Sequence, residues 1–254
     1  MSSKTRKKQE EVREVARPRV YVVGGGFEYI RLMYRLGCDG AKGLDDADVV
    51  LFTGGEDVNP ELYGEVPMAK THFNRIRDDF EQAIYKGALE RELPMVGICR
   101  GGQLLNILNN GKMWQHVNNH CGNHIARVEV APFRDDGKRR TVEVTSTHHQ
   151  MMIPAAHAIV LMTALEASEK DSPAYAKVGK VANEPDTEAV FYDGTNCLCF
   201  QPHPEFNAAP ADCVDIFEEF LNDWIFPRIP LRGDAKKMEQ AIMAQAGAGS
   251  VTPR

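Results

Sequence analysis

The sequence has no apolar run approaching the ~20 residues that a bilayer-spanning helix requires, so no membrane partner is expected. It has no internal repeat and no low-complexity block between residues 19 and 230, which argues against a repeat architecture. It has no strong excess of one charge sign either. Thirty Lys and Arg against 36 Asp and Glu leave a net charge of −6, which gives no general pull toward nucleic acid or anionic lipid. Six cysteines, at 38, 99, 121, 197, 199 and 213, are spaced too irregularly for a disulfide framework. They read as reduced thiols. The amino terminus is charged throughout and lacks the apolar segment of a secretory signal, so a cytoplasmic location is the expectation.

What is present is a chain of 254 residues, 43% hydrophobic and 26% charged, as in a soluble globular protein. A domain this long buries roughly 70–75% of its unfolded surface and needs no disulfides. Residues 1–18 read as a basic arm, 19–230 as the domain and 231–254 as a helical or disordered tail. The arm is either a solvated, fraying terminus or a contact for nucleic acid or an acidic partner. Nucleic-acid contact is not the favoured expectation.

RVYVV (19–23), DVVLF (48–52) and PMVGI (94–98) are short buried-type strands. Between and after them, 76–92 and 102–109 have helical spacing of apolar residues. This rhythm predicts parallel strands with right-handed crossovers and helices on both faces. The second half changes character: ARVEVAPF, RTVEVTS, TEAVFYD and NCLCFQ suggest antiparallel or edge strands, followed by a closing helix at 211–224.

Cys99 stands in "GICRGGQ", where a strand becomes a helix, with Gly97 two residues before and Gly101 two after. Small neighbours around a nucleophile at such a turn are the pattern of a nucleophile elbow. A helix N-terminus also favours a thiolate. A buried structural cysteine fits the local pattern as well. A nucleophilic thiolate needs a base and a group that orients the base. "CFQPHPEF" supplies His203 and Glu205, two apart and separated by proline, which predicts an extended backbone with both side chains on one side. Gly54-Gly55, directly after DVVLF, is either a plain turn or a loop whose backbone N–H faces a ligand. The Arg100 N–H, next after the cysteine, can bind an oxyanion.

"GGEDVNPELYG" (54–64), "RDDFE" (77–81), "PMVGICRGGQLLNILNNGKMWQ" (94–115), "VTSTHHQ" (144–150) and "FQPHPEF" (200–206) resemble the class I glutamine amidotransferase superfamily, most closely its γ-glutamyl hydrolase branch. That branch includes enzymes acting on γ-glutamyl-γ-aminobutyrate. The resemblance spans roughly residues 19–225 and implies a flavodoxin-like, doubly wound, mostly parallel sheet with added antiparallel strands in the C-terminal half. It implies Cys99, His203 and Glu205 as a catalytic triad and the N–H groups of Gly55 and Arg100 as the oxyanion hole. Gln103, Ser146, His148 and His149 are implied to bind substrate. The expected ligand is a γ-glutamyl small molecule or glutamine, with a synthetase partner in the glutaminase alternative and no cofactor. Only about 25 residues separate the first strand from DVVLF, so a second strand is expected to be vestigial around Cys38–Lys42, or lost. His116, His120, Cys121 and His124 have a spacing that nitrogen and sulfur ligands of zinc adopt, but the segment reads as a loop and no metal is expected. "VVGGGF" (22–27) lacks the register of a nucleotide-binding turn.

Overall fold

Val49, Val50, Leu51 and Phe52 are all fully buried, although successive side chains of a strand point to opposite faces. Such a strand must be covered on both sides, and the computed structural model shows how. It describes residues 17–131, 138–172 and 185–229. The arm up to residue 16 and the tail from 230 therefore lie outside the described residues.

The elements in chain order are β1 (Arg19–Val23), α1 (Phe27–Arg35), β2 (Asp39–Gly40), β3 (Val49–Phe52), α2 (Arg75–Glu90), β4 (Met95–Ile98) and α3 (Arg100–Leu108). There follow β5 (Lys112–Trp114), β6 (His116–Val117), β7 (Cys121–Val128), β8 (Thr141–Thr147), β9 (Met151–Ile153), β10 (Ile159–Ala164), β11 (Lys170–Asp171), β12 (Thr187–Tyr192), β13 (Cys197–Phe200) and α4 (Ala211–Phe220). The main sheet runs β2-β1-β3-β4-β13-β12-β10-β7-β8. It is parallel from β2 to β13 and antiparallel from β13 to β8. This is the flavodoxin-like doubly wound arrangement with its antiparallel extension.

One core packs Leu51, Ile98, Leu198 and Phe200 against Leu32 and Met33 of α1 and Ile216, Phe217 and Phe220 of α4. On the opposite face Val50, Phe52, Met95 and Cys199 pack against Tyr85 and Ala88 of α2 and Leu104 and Leu105 of α3. β2 is the vestigial strand expected after α1, two residues long and parallel to β1. The expectation of an antiparallel strand for NCLCFQ holds on its β12 side; on the other side β13 is parallel to β4, so it lies inside the sheet and not at an edge, with all four residues buried.

This topology positions the site. Phe200 pairs in register with Ile98, and Phe52 with Gly97. The carboxyl ends of β3, β4 and β13 therefore finish side by side, where open α/β sheets gather their ligand loops. Thr53-Gly54-Gly55, Cys99 and the 201–206 loop all leave the sheet on that edge.

Candidate active site

Cys99 has φ 50° and ψ −113°, a conformation uncommon for a non-glycine residue. Its neighbours explain how the turn closes. A Cβ on Gly97 would stand 2.3 Å from the Gly101 carbonyl carbon, and one on Gly101 would stand 2.2 Å from the Phe52 oxygen. Both obstacles are backbone, so only glycine fits. The Cys99 N–H donates to Phe200 O at 2.8 Å, and α3 starts at Arg100. The thiol thus sits at the start of a helix, where the first N–H groups have no partner within the helix.

His203 Nδ1 is 2.6 Å from Glu205 Oε1, and the ring stands beside the Cys99 side chain. Burial alone would lower the imidazole pKa; its interactions with Cys99 and Glu205 outweigh it and push it up to about 10. Thr147 Oγ1 lies 3.1 Å from His203 Nε2, and the Phe206 ring stacks on the imidazole with centroids 4.3 Å apart. The pairing of His203 with Glu205 matches the sequence expectation, but its backbone does not. Pro204 and Glu205 are in a turn, with the Phe206 N–H reaching back to His203 O at 3.4 Å. Proline excludes helix there and is equally at home in a turn.

Gly55 has φ +142° and shares a cavity of about 180 Å³ with Cys99, Arg100 and Gln103. Thr147, His148, His149 and Gln150 line its other side. Gln103 is buried, with its Nε2 3.3 Å from Gln201 Oε1 and 3.4 Å from Gln150 O. Burial holds the His148 ring down to about 3, and its Nδ1 is 2.8 Å from Gln150 O. His149 Nε2 pairs with Asp57 at 3.1 Å, and this hydrogen bond raises its pKa. Ser146 is the exception among the expected substrate contacts. It is fully buried and does not line the cavity, because alternation along β8 sends Thr147, not Ser146, to the cavity side.

Sequence reasoning missed two groups. The Tyr29 hydroxyl accepts the Gly54 N–H at 3.0 Å. Burial, followed by the charge of Glu205, raises its pKa far above the ordinary tyrosine range, which keeps it neutral. The glycines of VVGGGF, all at positive φ, form the turn before Tyr29's helix. Arg77 donates to Thr53 O at 2.9 Å and to Gly54 O at 3.0 Å, while its Nε pairs with Glu81 at 2.8 Å. Glu81 and Asp78 in turn form buried ion pairs with the Arg100 guanidinium. The only sequence signal was the "RDDFE" motif, whose role depends on packing.

Among the described residues, His120, His148 and Glu188 offer ligand-type atoms within 4.8 Å of one another and could hold a metal ion. This is not the set the spacing suggested, since His116, Cys121 and His124 are outside it and Cys121 is exposed. The carboxylates around it also have other partners: His124 Nε2 is 3.1 Å from Glu188, and His120 and Lys170 are each 2.6 Å from the neighbouring Asp186. No helix among the described residues is long and apolar enough to cross a membrane.

A family model described as Peptidase C26 matches residues 38–205. The chain belongs to the Peptidase C26 family. This family is class I glutamine amidotransferase-like. Within one stretch of 71 residues this Peptidase C26 chain is 49% identical to the glutamine amidotransferase-like protein YvdE of Lactococcus lactis subsp. lactis, covering 28% of this chain and 30% of that protein. A YvdE homologue from Lactococcus lactis subsp. cremoris is 36% identical over 119 residues, 41% of this chain and 63% of the relative. The matches thus span less than two thirds of these relatives' length. A glutamine amidotransferase structure from Thermotoga maritima superimposes with a TM-score of 0.52 at 15% identity, covering 90% of this chain and 94% of that one. The PurLQS structure from the same organism gives 0.53 at 19% identity, covering 81% and 98%. Likeness at such identity shows the fold.

Proposed function

We propose that this Peptidase C26 chain hydrolyses a γ-glutamyl amide through a thioester on Cys99. The observation that carries this reading is His203, which stands beside Cys99 and is hydrogen-bonded to Glu205. The Cys99 thiolate attacks the γ-carbonyl carbon, and the carbonyl electrons move onto oxygen. The N–H groups of Gly55 and Arg100 receive that oxyanion. Protonated His203 delivers its proton to the leaving amine as the C–N bond breaks, which leaves an acyl thioester. The now neutral imidazole takes a proton from water, hydroxide adds to the thioester, and glutamate leaves as the thiolate and imidazolium re-form. Gln103, His148 and His149 line the cavity as the substrate-binding side of this reading.

A panel of γ-glutamyl amides assayed with the purified chain tests it. Turnover that disappears in Cys99→Ala supports the proposal; equal turnover in wild type and Cys99→Ala sinks it. One finding favours a second reading, a glutaminase subunit working with a synthetase. The chain is 28% identical over 154 residues to a carbamoyl phosphate synthase small chain from Ralstonia nicotianae, covering 56% of this chain and 32% of that one. In that case glutamine is the substrate and turnover stays feeble until the partner is added.

A further inference from the structure

We infer that Arg77 presets the oxyanion hole by clamping the Gly54–Gly55 peptide. This inference rests on the proposed thioester chemistry and identifies what orients one of its two donors.

The argument starts from the peptide plane. Gly54 O and Gly55 N belong to one peptide unit, and in a planar trans unit the C=O and N–H point in opposite directions. Arg77 Nη2 holds Gly54 O at 3.0 Å and the preceding carbonyl, Thr53 O, at 2.9 Å. With its oxygen held on the guanidinium, the unit turns its N–H away from Arg77. The loop runs along the reacting groups on its other side. The Cβ position of Gly54 is 3.6 Å from Cys99 Cβ and 3.3 Å from His203 Cε1. The Gly55 N–H therefore faces the cavity that holds the sulfur.

A peptide between two glycines needs such a clamp. Glycine populates both signs of φ about equally, so neither neighbour resists a flip of the plane. A flip would replace the donor with a carbonyl oxygen and repel an oxyanion. Size complementarity points the same way: a Cβ on Gly55 would stand 2.2 Å from Arg77 Nη1, so arginine and glycine fit as a pair. The clamp is anchored as well. Arg77 Nε pairs with buried Glu81, which also pairs with Arg100, the residue that supplies the second N–H. One carboxylate thus ties together the two halves of the hole. Arg77 touches no reacting atom; it is a positioning residue.

Two reactions of Cys99 separate this role from a general structural one. Acylation by p-nitrophenyl acetate passes through an oxyanion: the thiolate adds to the ester carbonyl and expels p-nitrophenolate, giving an acetyl thioester. Alkylation by iodoacetamide forms a C–S bond and releases iodide with no oxyanion. Removing one oxyanion donor slows comparable reactions about 10²–10³-fold, so Arg77→Met is expected to slow acylation about 10²-fold. Alkylation should remain at the wild-type rate. Arg77→Lys keeps the charge beside Glu81, protects the fold, and should recover part of the acylation rate through one carbonyl contact. Unchanged acylation in both variants overturns the clamp, and so does a parallel fall in both reactions. Neither reagent needs γ-glutamyl recognition. If wild type is acylated by the ester but turns over no γ-glutamyl amide, the proposed function fails while the ratio of the two rates still decides the clamp.

Discussion

The Tyr29 hydroxyl accepts the Gly54 N–H at 3.0 Å, and the Glu205 carboxylate lies near enough to help burial raise the phenol's pKa. One neutral phenol thus stands beside the carboxylate that pairs with His203 and holds the loop that carries Gly55. A neutral hydrogen bond of this kind is worth about 0.5–1.5 kcal/mol. Tyr29→Phe, which keeps the ring, should therefore lower kcat about 2–10-fold with little change in KM. Steady-state kinetics on a γ-glutamyl amide check this, and a variant of wild-type kcat would remove Tyr29 from the machinery.

The pH dependence follows from His203. Its pKa rises from an ordinary 6.5 to about 10, because Cys99 and Glu205 outweigh burial. A raised histidine pKa means that the proton, and the stabilisation it brings, are fully present below about 6.5 and lost as pH climbs through about 10. Alkylation of Cys99 and amide turnover should therefore hold through neutral pH and change near 10. Glu205→Gln removes one of the two anions and should move that alkaline limb to lower pH. An unmoved limb would show that the carboxylate does not set the imidazole's charge.

Gly101→Ala tests the sterics of the elbow. Its new Cβ would lie 2.2 Å from Phe52 O, a backbone atom that cannot swing aside. Overpacking of this kind costs about 1–3 kcal/mol, and more where backbone must move. Urea denaturation should report that loss, with slower iodoacetamide alkylation of Cys99 as the thiol is displaced.

Phe217→Ala tests stability away from the chemistry. Phe217 is fully buried on α4, with its ring centroid 5.0 Å from that of Phe200. Truncation of a buried phenylalanine typically costs 3–5 kcal/mol, so the midpoint of denaturation should fall sharply. Below that midpoint the alkylation rate of Cys99 should match wild type.

Much of the fold was legible because it is written in local periods. Buried-type runs such as VVLF and MVGI, with helical spacing between them, set the order of the parallel half. β13 was read only in part, for a reason of the same kind. Its alternation resembles that of an antiparallel strand, and only pairing with β4 on one side and β12 on the other puts it inside the sheet. Ser146 shows a related limit, since residue type cannot say which face of β8 looks into the cavity; the placement of that strand decides it.

The elbow around Cys99 and the bond between His203 and Glu205 were determined by the sequence itself, because they rest on short-range sterics: glycines two residues either side of a turn, and prolines that exclude helix. Tertiary structure alone decided that β4 and β13 lie adjacent in register, and so that the sulfur and the imidazole meet. It also decided that Tyr29 and Arg77, unremarkable within their own helices, reach the Gly54–Gly55 loop from opposite sides of the sheet's edge. Contacts between residues so distant in the chain depend on packing and carry no local period to read.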